Sequence, residues 1–383
     1  MTHNTLNREI RIILWAIREK GNNPAETFPY KKDDIDWEKL RALSGKHGVL
    51  PILYKKLKRL KSDQITSKDL EKFKSLNLNI IHWNLIQANQ LITILKLLEE
   101  KGINVIPFKG PILSAQAYGD LGYRIFCDID ILINPKDFSR VYNTMINEGF
   151  RPNMPLTEKK KKYWSRSRRD FEFYTSNAII DFHQRLTQAH YSFSLSEKEM
   201  REENFIYLMN HKIRILSPEN TVLSICIHST KDQWNSLKMI SDLSYFLHAN
   251  PELDWDKLIK KAKKMGISRM VLTGFLLLKE ILNESFPEKV LKMIQKNTVV
   301  HQLAKKYKAK IFTRNIDRQT LYRVTSIAKT LDSPWHCLRF LLHFTFSPTP
   351  LDFSSISIPE FLYPLYYLVR PLRLIFKLFS KKR

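Results

Sequence analysis

The sequence of 383 residues predicts an α+β fold, with a small mixed sheet in the middle of the chain and helices before and after it. Three observations carry this. Residues 1–100 and everything after Pro218 place apolar side chains at helical spacing. Short β-branched and aromatic runs are confined to the stretch between them. The composition, 43% hydrophobic and 26% charged, supplies cores for two or three domains and excludes disorder as the main state.

Taken in order, Asp36-Trp-Glu-Lys-Leu reads as a capped helix start. Leu70, Phe73, Leu76, Leu78, Ile81 and Leu85 then set a helical pattern over 68–100, which Lys101-Gly102 stops. Strands are expected at 103–108, 125–133, 170–175, 178–184 and 211–216. One helix is expected between the first two strands and another over 135–148, with a tight turn at Ser176-Asn177. After Pro218 the pattern gives helices at 221–228, 237–247, 255–265, 269–282 and 288–307. The expected organisation is a helical segment (1–100), an α+β domain (101–216), a helical domain (217–345) and a basic amphipathic tail (346–383).

Sixty-three Lys and Arg against thirty-eight Asp and Glu leave a net charge of +25, so polyanions such as nucleotides, RNA or anionic lipid headgroups are the expected partners. The surplus lies mostly after residue 217, away from the sheet. The three cysteines, Cys127, Cys226 and Cys337, are too far apart for a zinc motif and form no disulfide framework. The apolar run 12–17, flanked by Arg11 and Arg18, is too short for a signal peptide, and Arg370, Arg373 and Lys377 interrupt the apolar run 361–379. A cytoplasmic location is expected, peripheral at a membrane if the tail binds lipid.

The chemistry concentrates in Phe108-Lys-Gly-Pro and in Arg124-Ile-Phe-Cys-Asp-Ile-Asp-Ile-Leu-Ile133. On a strand, Asp128 and Asp130 leave the same face and Ile129 and Ile131 the other. Two carboxylates this close repel, which makes a divalent cation their natural partner, and oxygen ligands suit Mg²⁺, with Mn²⁺ as a substitute. Asp181 and His183 share a face of another expected strand. Three acids on adjacent strands could hold two metal ions, one activating an attacking hydroxyl and the other stabilising a departing pyrophosphate. The plainer alternatives are Asp181 paired with Arg185 or with the nearby basic cluster, and His183 as a satisfied core histidine. Gly110 lets the backbone approach a ligand at a helix N-terminus, and Lys109 adds a point charge there. Arg124 could clamp a phosphate or neutralise Asp120 or Asp128.

These residues carry a resemblance. Lys-Gly, a short helix, Tyr-Gly-Asp, Arg124 with Asp-Ile-Asp-Ile-Leu-Ile, a helix ending at Glu-Gly-Phe150 and then Ile-Asp-Phe-His-x-Arg185 together resemble nucleotidyltransferase family 5 of the DNA polymerase β-like superfamily. Gly48-Val-Leu-Pro-Ile-Leu-Tyr54 is similar to that family's lead-in, and Ile227-His-Ser-Thr-Lys-Asp-Gln-Trp234 through Asp242 to its helical half. The resemblance implies a polymerase β-like domain that moves a nucleoside monophosphate from an NTP to a hydroxyl acceptor, which could be a small molecule, a protein or a tRNA end. It further implies Mg²⁺ on Asp128, Asp130 and Asp181, with Gly110 in the phosphate-binding turn and Lys109, Arg124 and His183 around the nucleotide. Two departures stand out. Pro111 follows Gly110 where the superfamily has Gly-Ser or Gly-Gly with a phosphate-contacting serine, so either Lys109 takes over that contact or triphosphate binding is altered, and Lys231-Asp232 replaces Lys-His. His228 and Lys231 are candidates for lining the cleft.

The alternative reading is a non-catalytic basic adaptor. It rests on the segment Lys159-Lys-Lys-Lys-Tyr-Trp-Ser-Arg-Ser-Arg-Arg169, where aromatics interleave with cations as on RNA-binding surfaces. It rests also on the tail, which reads either as a foot on an anionic membrane surface or as packing for the helical domain. Pro364 and Pro371 are expected to interrupt any helix there.

Overall fold

The computed structural model describes residues 7–18, 28, 30–60, 64–167, 170–186, 195, 197–200, 202–313, 320–356 and 358–380. Five strands, β1 (Val105–Pro107), β2 (Asp128–Ile133), β3 (Arg151–Pro152), β4 (Phe171–Tyr174) and β5 (Ile179–His183), form one sheet in the order β1-β2-β5-β4-β3. β2 and β5 run parallel and every other neighbouring pair antiparallel, so the sheet is mixed as expected. A parallel pair needs a long crossover. Helices Phe138–Asn147 and Glu158–Ser167, with β3 and β4, supply it.

The alternation along β2 divides the molecule. Ile129, Ile131 and Ile133 join Ile180, Phe182, Phe173 and the helix Phe138–Asn147 in one core. Phe108 and Leu132 belong instead to a larger core shared with the N-terminal and C-terminal helices. Each buried isoleucine is worth about 1.5–3 kcal/mol over exposure. A one-residue slip of β2 would turn three of them out of their core and drive both aspartates into it, so the register is firmly set.

Two expectations change. The strand at 211–216 exists as β7 (His211–Ile215), but it pairs with β6 (Asn204–Leu208) in a separate hairpin and not with the main sheet. The helix expected at 288–307 is two helices, Glu288–Gln295 and Thr298–Thr313. The helix Trp255–Met265 matches its expected bounds, capped by Asp254, whose side chain accepts from Lys257 N–H.

The long helix Ser67–Glu100 forms where expected, yet it buries a different stripe. Leu76, Leu78 and Leu85 are exposed, while Phe73, Asn77, Asn84, Gln87, Leu91 and Leu98 are buried. Asn84 explains the polar stripe, since its Nδ2 donates to the carbonyls of Leu121 (2.6 Å) and Arg124 (2.7 Å) and so anchors the loop leading into β2.

The basic segment is the helix Glu158–Ser167, with Arg168 and Arg169 outside the described residues. Its aromatics face inward. Trp164 is buried against Phe353, and Tyr163 meets Phe353, Tyr363 and Tyr367. The C-terminal segment thus folds back onto the α+β domain. Pro364 lies in the 3₁₀ turn Glu360–Leu365, but the helix Tyr366–Ser380 runs through Pro371 without interruption. Tyr366 and Arg370, just before that proline, are both buried, and their packing holds the helix across the missing hydrogen bond.

Candidate functional site

β2 and β5 pair in parallel with Asp130 opposite Asp181, and β4 places Glu172 opposite Asp181. Three carboxylates therefore stand in a row across one sheet face. Asp128 sits opposite Ile179, so it has no acidic neighbour on β5 and is exposed at the strand's start. Asp130, Asp181 and His183 each bring a ligand atom within 4.8 Å of the others, and Asp128 stands outside this cluster.

At that separation two bare carboxylates repel by roughly 3–4 kcal/mol at an effective dielectric constant near 20. Two cations offset this. Lys109 Nζ lies 2.5 Å from Asp130 Oδ1, and His183 Nε2 lies 2.8 Å from the same oxygen and 3.1 Å from Asp181 Oδ2. His183 Nδ1 reaches toward Asp170 Oδ2 at 3.5 Å. Burial would discharge the imidazole, but Asp181, Asp170 and the bond to Asp130 outweigh it and push its pKa well above the ordinary value. Burial likewise opposes the Asp130 charge, yet Lys109 and His183 hold that carboxyl far below the usual carboxylate range. Asp128, open to solvent yet crowded by the cleft, moves the other way, raised by partial loss of its hydration and by the Asp130 charge beside it.

This neutralisation is incomplete. Asp130 Oδ2 and Asp181 Oδ1 are buried and have no hydrogen-bond partner. Buried carboxylate oxygens are rarely left so. The unused lone pairs are hard oxygen donors close together, the donor set a divalent cation prefers, so the residues present fit a Mg²⁺ or Mn²⁺ ion.

Gly110 is required by geometry. Its φ is +48°, and a Cβ there would lie 2.7 Å from the Asp128 carbonyl oxygen. The Lys109-Gly110 turn can therefore press against the first residue of β2 only as glycine. Gly110 opens the helix Gly110–Tyr118, but this N-terminus is poorer in donors than expected. Pro111 has no N–H, and Ile112 N–H is engaged by the Lys109 carbonyl at 3.0 Å.

The ion pair expected of Arg124 forms with a different partner. Arg124 pairs with neither Asp120 nor Asp128. Its Nε donates to Asp242 Oδ1 (3.0 Å) and Oδ2 (3.1 Å), its Nη1 to the Gly110 carbonyl (3.3 Å), and Asp120 pairs with Lys55. Tyr118 OH also donates to Asp242 Oδ1, at 2.9 Å. Asp242 lies on the helix Leu237–Ala249, so this cluster fastens the helical domain to the glycine turn.

Two cavities meet at the carboxylates. One, of about 530 Å³, is lined by Asp181, His183, Asp170, Trp164 and, from the C-terminal segment, Thr349 and Arg370. The other, of about 430 Å³, is lined by Gly110, Arg124, Lys238, Ser229 and Ser236. Lys109, Asp128, Asp130, His228 and Asp232 border both. Lys231 borders the first, so both helical-domain candidates line the cleft. His228 is also held structurally, with Nε2 3.2 Å from the Leu186 carbonyl. Asp170, Glu172, Lys238 and Arg370 were not singled out as site residues. Only the strand order, the packing of the helix Leu237–Ala249 against Gly110–Tyr118 and the fold-back of the C-terminal segment bring them here.

No curated protein matches the sequence. Among solved structures, the antibiotic-resistance factor ANT(2'')-Ia is similar in its solution structure, at 13% identity and TM-score 0.33, over 47% of this chain and 92% of that one. Its crystal structure in complex with adenylyl-2''-tobramycin gives 14% identity and TM-score 0.34, over 47% and 97%. An antigenic nucleotidyltransferase-like protein from Paracoccidioides brasiliensis gives 11% and 0.30, over 58% and 92%. The sequence model of one family covers residues 33–283, a span that contains the glycine turn, all three aspartates and Asp242. By that match, the chain belongs to the family described as uncharacterised nucleotidyltransferases.

Proposed function

We propose that this protein is a polymerase β-like nucleotidyltransferase that moves a nucleoside monophosphate from an NTP to a hydroxyl acceptor, using Mg²⁺ or Mn²⁺ held by Asp130 and Asp181 with Asp128 at the cleft mouth. The observation that carries this reading is the pair of buried oxygens, Asp130 Oδ2 and Asp181 Oδ1, left without partners where two cavities meet. When bound, the cation would supply Lewis-acid polarisation of the phosphate and charge neutralisation on the leaving pyrophosphate.

The chain's own residues do the positioning. The cavity beside Gly110 offers Lys109, Arg124 and Lys238 and suits a triphosphate, while the one beside Asp181 takes the acceptor. Among these, burial and the Arg124 charge pull the Lys238 pKa down to about 8. An added anion would restore its charge. As the acceptor oxygen bonds to the α-phosphorus and the bond to pyrophosphate breaks, the hydroxyl proton would pass to a carboxylate of the cleft. His183 and Lys109 fix the Asp130 carboxylate in its orientation.

The test is incubation of the full chain with NTPs labelled at the α-phosphate, Mg²⁺ or Mn²⁺, and a cell extract as acceptor source. The expected result is a labelled acceptor with release of pyrophosphate. Absence of both NTP binding and label transfer with either ion would overturn the assignment.

A further inference from the structure

Fifteen of the twenty-four large hydrophobic side chains exposed among the described residues lie after residue 334. They are not scattered. Phe361, Leu365, Leu368, Leu372 and Phe376 recur every three to four residues, so they form one stripe along the 3₁₀ turn Glu360–Leu365 and the helix Tyr366–Ser380. Phe361 is 78% and Phe376 72% exposed. The helix Pro334–Phe346, packed against the second of these, leaves its own stripe of Trp335, Leu338 and Leu342 open. A soluble surface rarely gathers so much apolar area without a partner.

The opposite side of the same segment is fully committed to the fold. Tyr363 and Tyr366 are buried, and Arg370 and Arg373 converge on the buried Asp352. The outward stripe is therefore surplus to folding. The segment is also basic in sequence, since residues 334–383 hold seven Lys and Arg against two acids, one of which is that buried Asp352. A second copy of the chain would bring two basic surfaces together, whereas an anionic bilayer accepts the apolar stripe and neutralises the charge. Among the described residues no helix is long and apolar enough to cross a membrane.

We infer that the C-terminal helices Pro334–Phe346 and Tyr366–Ser380 form a peripheral docking surface for anionic phospholipid bilayers. Because Thr349 and Arg370 of the same segment also line the carboxylate cavity, docking sets the cleft beside the membrane. This inference stands apart from the reading of the cleft as catalytic, and its test needs no activity.

The full chain is floated with vesicles of phosphatidylglycerol and phosphatidylcholine, and with phosphatidylcholine alone. It should float with the anionic vesicles only, and less at high salt. The double substitution Leu368→Glu and Leu372→Glu, at exposed positions, should abolish flotation while circular dichroism stays unchanged. In the unsubstituted chain, brominated anionic lipids should quench a fluorescence component that Trp335→Phe removes. A chain that stays unbound, or floats equally on neutral vesicles, would overturn the inference. So would a dimer dissolved by the glutamates without vesicle binding, or retention on RNA that the glutamates leave intact.

Discussion

Asp242 and Asp352, neither of them part of the carboxylate row, contrast with Asp130 within it. All three are buried and face cations. Asp242 spends both oxygens on Arg124 and Tyr118, and Asp352 spends both on Thr349, Arg370 and Arg373. Asp130 places Lys109 and His183 on a single oxygen and leaves the other with none. Burial and an ion pair are therefore no mark of function by themselves. Incomplete coordination beside a cavity is the distinguishing feature.

The largest effect expected is on the completed cluster. Asp242→Ala strands the buried Arg124 guanidinium, which should cost about 3–5 kcal/mol of stability. Chemical denaturation would show it, and a change under ~1 kcal/mol would mean that the helical domain is held to the turn by other contacts. Asp130→Asn should have the opposite profile. Folding persists by circular dichroism, but nucleotidyl transfer falls by roughly a hundred-fold to a thousand-fold, the scale of losing one preorganised electrostatic group. Undiminished turnover would place Asp130 with the structural aspartates.

Gly110→Ala comes next. The left-handed backbone costs about 1–2 kcal/mol for a residue with a Cβ, and the clash with the Asp128 carbonyl should displace the turn. Weaker NTP binding in calorimetry, with a modest fall in melting temperature, is the expected outcome. The smallest effect concerns Asp352. Burial would raise its pKa, but hydrogen bonds from Thr349 and Arg373 and the Arg370 charge outweigh this and lower it. A carboxyl depressed in the folded state stabilises above its unfolded pKa, about 4, and the contribution is lost as pH falls through the folded value. Hydrogen exchange should therefore show the helix Tyr366–Ser380 loosening on acidification below about pH 4, with Asp352→Asn removing the pH dependence.

Much of the fold was legible because its signals are local. Asp-Ile-Asp-Ile-Leu-Ile alternates, so β2 and the shared face of Asp128 and Asp130 follow from strand geometry alone. Asp36 and Asp254 mark helix starts for an equally local reason, accepting from a backbone N–H three residues on. What escaped depends on distance or on unusual chemistry. Arg124 and its partner Asp242 are 118 residues apart, and no local pattern links them. The hairpin β6–β7 turns through Met209 and Asn210, both with positive φ, and methionine is not a turn signal. β3 is two residues at the sheet edge, one of them a proline. The amides on the long helix's buried face read as solvent-facing until Asn84 is seen to hold the loop before β2.

The central claim is that the uncommitted oxygens of Asp130 and Asp181 hold a divalent cation. Electron paramagnetic resonance titration of Mn²⁺ tests it without any substrate. Saturable binding that Mg²⁺ displaces, and that the double substitution Asp130→Asn, Asp181→Asn removes, is the predicted result. Mn²⁺ that stays free in the presence of the unaltered chain, or binds the double variant equally well, would contradict it.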